Sequence, residues 1–115
     1  MKIKVGNRKV DATTLKFKTS FYDNYLIFSR AYFNKKQIKM FGLNEGDLIT
    51  VFFMKNDKTL LSYNFIVKKE DRGLLYIEIP ALLTNFLQLG TLHKKAVAFK
   101  TEYGLVFVLM GGESK

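Results

Sequence analysis

The stretch Tyr25–Phe53, YLIFSRAYFNKKQIKMFGLNEGDLITVFF, decides the fold. It reads as strand, short helix, turn, strand. Tyr25–Ala31 follows an Asp23-Asn24 turn signal and is rich in β-branched and aromatic residues. Asn34 is placed to cap the free amides of a helix, Gln37 stands three residues on, and Phe33 and Ile38 occupy staple positions. Ile38 and Phe41 share one helical face, while Lys35, Lys36 and Lys39 point elsewhere, and Gly42 is the stop. Gly46-Asp47 makes a tight turn into Leu48–Met54, a continuous apolar run expected to be a strand buried on both faces.

Working outward, strand signals dominate. Ile3 and Val5 alternate with lysines, as do Leu15 and Phe17 with Lys16 and Lys18. Alternation returns over Leu61–Val67 and Leu75–Ile79, and Lys95–Thr101 with Leu105–Met110 reads as a hairpin turned at Glu102–Gly104. A second helix is expected over Ala81–Leu89, opened by Pro80, stopped by Gly90 and buried through Leu82, Leu83, Phe86 and Leu87. The expectation is a mostly β (α+β) fold: one small pseudobarrel of seven or eight strands with two short helices, spanning residues 1–115 as a single domain. The strand–helix–turn–strand order of Tyr25–Phe53 is echoed, with slight identity, by LLYIEIP, ALLTNFLQL and GTLHKKAVAF.

Composition narrows function. The chain has 115 residues, no Cys, a single His and a net charge of +9. A disulfide framework, a thiolate metal site and a Cys nucleophile are excluded. His93 has no second His or Cys nearby, and the carboxylates form no pair spaced for acid–base or two-metal chemistry. No phosphate-cradling Gly-rich loop is present. The reading is therefore a non-enzyme with no catalytic residue, metal or cofactor. The N-terminus lacks the apolar core of a signal peptide, and no apolar run approaches the roughly 20 residues of a membrane span, so a cytoplasmic location without membrane contact is expected.

The positive charge is segregated. Lys2, Lys4, Arg8, Lys9, Lys16 and Lys18 face one acid in the first 18 residues, and Asn24 to Asn44 carries Arg30, Lys35, Lys36 and Lys39 with no acid. Such a basic face fits a nucleic-acid partner. Of the 19 basic residues only Arg8, Arg30 and Arg72 are arginines, so phosphate contact should dominate over base reading.

Ser29-Arg30-Ala31 before a helix, then Phe41-Gly42-Leu43-Asn44-Glu45-Gly46-Asp47 and a strand, resembles the swapped-hairpin unit of AbrB/MazE-type DNA-binding proteins. Two such units in one chain resemble the DNA-binding pseudobarrel shared by a plant transcription-factor domain and the effector domains of some restriction endonucleases. The resemblance covers about Leu15 to Met110 and implies a double-stranded DNA partner gripped in the major groove by two arms. By position these are Lys16–Asn24 (KFKTSFYDN) and Lys68–Gly73 (KKEDRG). It departs from that fold's pattern in three places. The first unit has Ser29 where a proline usually precedes the helix, the chain has no Trp, and the Gly-Asp turn follows the first helix instead of the second.

The first arm offers Lys16, Lys18, Thr19, Ser20, Tyr22 and Asn24, the cationic, hydroxyl and amide groups that phosphates and base edges require. An ordinary solvated hairpin carries the same residues. Arg30, close to a helix start, is the direct-readout candidate; the alternative is a surface arginine on an edge strand. Asn34, Lys35, Lys36 and Lys39 extend the face along the first helix, where Lys35 and Lys36 oppose the helix dipole unless phosphate docks there. In the second arm Lys68, Lys69 and Arg72 are candidates, weakened by Glu70 and Asp71 unless those fold away. Lys94 and Lys95 are expected outside the face. Tyr22, Tyr25 and Tyr32 are the aromatics open to exposure. The function read is a transcription regulator or a phage- or host-encoded DNA-binding accessory, monomeric or homodimeric. Its rivals are a single-stranded nucleic-acid binder on a small barrel and a protein–protein or inhibitor module with an acidic partner.

Overall fold

A computed structural model describes residues 1–111. Its elements run β1 (Lys2–Val5), β2 (Arg8–Tyr22), β3 (Tyr25–Phe33), α1 (Lys35–Phe41), β4 (Leu48–Lys55), β5 (Lys58–Ile66), β6 (Lys68–Lys69), β7 (Leu75–Pro80), α2 (Ala81–Leu87), β8 (Lys95–Thr101) and β9 (Gly104–Met110). They build the mostly β architecture expected, one curled half-barrel sheet in the order β5-β4-β9-β8-β2-β3-β7-β6, with β1 paired to β2 beside that path. Only β4 with β9 is parallel. The two ends of the sheet, β5 and β6, are separated in the chain by Val67 alone. The Gly46-Asp47 turn pins that junction: Gly46 N donates to Val67 O and Val67 N to Asp47 O, each at 2.8 Å.

The curl encloses a core of Phe33, Phe53, Phe107, Leu15, Ile77, Ile79 and Leu89, all fully buried. Phe53 meets Phe107 edge to face at 5.7 Å between ring centres. A second, smaller cluster lies apart from it: Ala12, Phe99 and Val106, with Val10, Phe52, Met54 and others packed around them.

β2 is longer than its sequence announces. Alternation is legible only at Leu15–Lys18, yet the strand runs 15 residues. Val10 and Ala12, at even positions, pack on the small cluster, whereas Leu15 and Phe17, at odd positions, enter the main core. A strand whose buried parity changes midway shows no continuous period of two, and that hides it. Its lower part, Ala12–Lys16, pairs with β8 and its upper part, Phe17–Tyr22, with β3.

Two burial expectations are corrected. β4 is not fully buried on both faces: Val51 and Phe53 are buried, Phe52 and Met54 on the other side are only half-buried against the smaller cluster, and Leu48 is 66% exposed. α2 ends at Leu87, is capped by Gln88 instead of Gly90, and Pro80 precedes the helix as N-cap. Its buried residues are Thr84 and Leu87, while Leu82 and Phe86 are 83% and 68% exposed. α1 is as expected. Asn34 and Gln37 form a reciprocal capping box, and Gly42 ends the helix at φ +64°.

Candidate nucleic-acid interface

The β2–β3 hairpin carries the first expected arm. Asp23 and Asn24 adopt φ +48° and +71°, the two-residue turn that suits a twisted hairpin. Ladder pairing with β8 stops at Lys16 and pairing with β7 stops at Phe28. Beyond those points the hairpin stands as a two-stranded ribbon with Phe21, Tyr22 and Tyr25 exposed.

The lysines of the arm lie on the outer sheet face below that tip. Lys18 is directly opposite Arg30, and Arg30 opposite Glu78, forming one row across β2, β3 and β7. One step down β2, Lys16 is directly opposite Lys95 of β8. Lys95, expected outside the face, is thus part of it. Among the described residues only two ion pairs form, Lys2 with Asp11 and Arg30 with Glu78. Lys16, Lys18 and Lys95 are exposed and have no carboxylate partner among those residues.

Arg30 is held on every side. Its Nε and Nη2 donate to Glu78 Oε1 at 3.2 and 3.1 Å, and Nη1 donates to Tyr32 Oη at 3.0 Å. The guanidinium lies 4.4 Å from the Tyr76 ring centre and 5.2 Å from that of Phe28. The Tyr32 hydrogen bond, opposed by burial and helped by Tyr76 and Glu78, holds its pKa above the ordinary arginine range. Tyr32 packs on Tyr76 at 5.4 Å, and Lys18 Nζ sits 5.8 Å from the Tyr32 ring centre. Glu78 and Tyr76 were not among the expected site residues. The available signal was Glu78 itself, the only charge in the apolar strand LYIEIP, where a lone half-buried carboxylate calls for a cationic partner.

Two shallow depressions meet at Lys18, Tyr32 and Leu74. One reaches past Lys16 to Asn34 and Gln37 at the start of α1, and the other is walled by Glu70, Asp71 and Arg72 of the second arm. The two arms and the helix start therefore border one continuous cleft. Glu70 and Asp71 line it rather than folding away.

Other candidates lie elsewhere or are already engaged. Thr19 packs on the opposite side, against Gly90. Ser20 is half-buried opposite Phe28, and Tyr22 and Asn24 are exposed at the ribbon tip. Asn34 Oδ1 accepts from Gln37 N at 2.8 Å, which leaves its NH2 end for a ligand. Lys35 is exposed on the first turn of the seven-residue α1, and Lys39 on its last turn. Lys36 lies toward Asp11, whose carboxyl is held below the usual range mainly by its hydrogen bond and ion pair with Lys2 and to a smaller extent by Lys36. Lys68 is opposite Tyr76, and Lys69 opposite Leu75 beside Gly73.

His93 is a core residue. Its Nδ1–H donates to Leu87 O at 3.0 Å, so Nε2 is the acceptor for the Lys55 ammonium at 2.8 Å. No group of three His, Cys, Asp or Glu is placed to hold a metal ion among the described residues. No helix there is long and apolar enough to cross a membrane. No protein-family model, curated protein or solved structure matches this chain.

Proposed function

We propose that the chain is a non-catalytic double-stranded DNA-binding protein that uses the outer face of β2, β3 and β8. One observation carries the reading: Lys16 opposes Lys95, and Lys18 opposes Arg30, on an exposed sheet face where the three lysines have no carboxylate partner among the described residues. Like charges directly opposite one another, as at Lys16 and Lys95, destabilise a sheet, and a polyanion lying across them removes that cost while releasing its own counterions. The protruding two-stranded ribbon also suits the major groove, which admits such a ribbon.

The exposed Phe21, Tyr22 and Tyr25 favour the second reading, base stacking on a single strand. Fluorescence anisotropy with random duplex, single strand and RNA at 50 and 200 mM salt separates the two. Duplex should win, with affinity falling roughly a thousandfold or more over that range if six to ten phosphates are neutralised. Replacing Lys16 and Lys95 together by Gln should lower the salt slope by about two and leave the melting temperature nearly unchanged. A flat salt response sinks the polyanion reading, and preference for single strands moves the function to the ribbon tip.

A further inference from the structure

We infer that Arg30, buttressed by Glu78, reads the guanine of a G·C pair and does not anchor a phosphate. The inference rests on the duplex-DNA reading above and names what that face would recognise.

A guanidinium has five N–H groups. Three are engaged: Nε and Nη2 on Glu78 Oε1, and Nη1 on Tyr32 Oη. One hydrogen therefore remains on each terminal nitrogen, and the side chain stays about a quarter exposed (28%). Two N–H groups on neighbouring nitrogens match either two phosphate oxygens or guanine O6 and N7.

Charge decides between these partners. A phosphate approaching Arg30 also approaches the Glu78 carboxylate, which already neutralises the guanidinium at 3.1 Å. The arginine is then a poor centre for a full negative charge. Guanine O6 and N7 are neutral acceptors, and a nearby carboxylate does not repel them in that way. The carboxylate has a second use: both bonds from Arg30 fall on Oε1, and Oε2 accepts none among the described residues. Arg30 and Glu78 together thus supply two donors and an acceptor. A G·C pair displays the complement in the major groove: two acceptors on guanine and the N4 amino donor on cytosine.

Rigidity completes the case. Arginine ordinarily loses considerable rotamer freedom on binding. Here the rings of Phe28 and Tyr76 already bracket the guanidinium, and Tyr32 fixes one end. Phosphate contact needs little such precision; base-edge contact does. The exposed lysines beside it, Lys16, Lys18 and Lys95, are the flexible point charges suited to phosphate.

Selection from a randomised duplex pool tests this, followed by substitution of 7-deazaguanine, which lacks the N7 acceptor, at the enriched position. The selected pool should fix a guanine. Replacing it by another base should cost roughly 5- to 150-fold in affinity for the wild-type protein, and 7-deazaguanine there at least about fivefold. Arg30→Lys should abolish the preference for guanine at that position. Glu78→Gln should strengthen binding to random duplex and blur the preference. Because the 7-deazaguanine measurement uses the wild-type chain, it does not depend on any variant folding. If duplex binds but no guanine is enriched, or 7-deazaguanine has no effect, the base-reading role of Arg30 is overturned and the DNA reading stands. If no duplex binds even at 50 mM salt, both fall.

Discussion

The β3–α1–β4 and β7–α2–β8 units follow the same order of strand, seven-residue helix, turn and strand, yet they are held by different means. Helices this short do not persist alone in water. α1 carries its own supports. The Asn34–Gln37 box closes its start, Gly42 closes its end, and Gln37 Nε2 reaches Thr13 Oγ1 and Thr14 O on β2. α2 has no side-chain cap at its start, and its C-cap, Gln88, sits at φ +54°, a left-handed conformation that non-glycine residues adopt at some cost. Distant contacts hold it instead. Thr84 Oγ1 donates to Ile79 O and accepts from Ser29 Oγ, with both side chains fully buried, and Gly90 lies against Thr19. A shared local order therefore does not imply a shared source of stability.

Gly90→Ala should produce the largest contrast between the units. The new methyl would fall 2.1 Å from Thr19 Cγ2, at a backbone φ of +81°. Overpacking and left-handed strain together should cost about 2–4 kcal/mol by urea unfolding, and Thr19→Ser, which removes Cγ2, should restore part of it. Gly42→Ala in the first unit meets only Lys100 Nζ at 3.6 Å. It should lose only the strain, about 1–2 kcal/mol. Equal losses at the two glycines would break the comparison.

The next contrast sets the tertiary support of one helix against the local cap of the other. Thr84→Val strands the Ser29 hydroxyl and the Ile79 carbonyl in the core and should cost about 1–3 kcal/mol. Asn34→Ala should cost about 1 kcal/mol, the usual worth of an N-cap. Thermal melts of the two variants rank them, and Asn34→Ala proving the worse would mean that local capping outweighs the buried network.

The smallest effect is expected at Leu82→Ser and Phe86→Ser, each within about 0.5 kcal/mol because both side chains face outward. A loss of several kcal/mol at either would restore the buried face that helical spacing had led one to expect.

The candidate site was legible in the same uneven way. Lys16 and Lys18 could be grouped from sequence because alternation places them on one face, whereas Arg30 comes opposite Lys18 only through a register shift between Ser20 and Phe21, since the Asp23-Asn24 turn alone would set Lys18 opposite Ser29. Lys95 and Glu78 could not, because they join that face only through pairings between segments far apart in the chain. From sequence Arg30 read as a direct-readout candidate or as a surface arginine on an edge strand, and its ion pair and aromatic bracket became visible only once β3 lay beside β7.

Sequence by itself determined the mostly β class, the bounds of α1, and the two-residue turn at Asp23-Asn24, whose residues both take positive φ. These follow from chemistry acting within about four residues: a cap, a stop, a turn conformation, a period of two. The tertiary structure alone decided the full length of β2, the exposure of Leu82, Phe86 and Leu48, and the row Lys18–Arg30–Glu78. Each depends on which face of a strand or helix the curled sheet covers and on which distant strand becomes its neighbour. Burial and cross-strand pairing are properties of the assembled sheet, and no local pattern carries them.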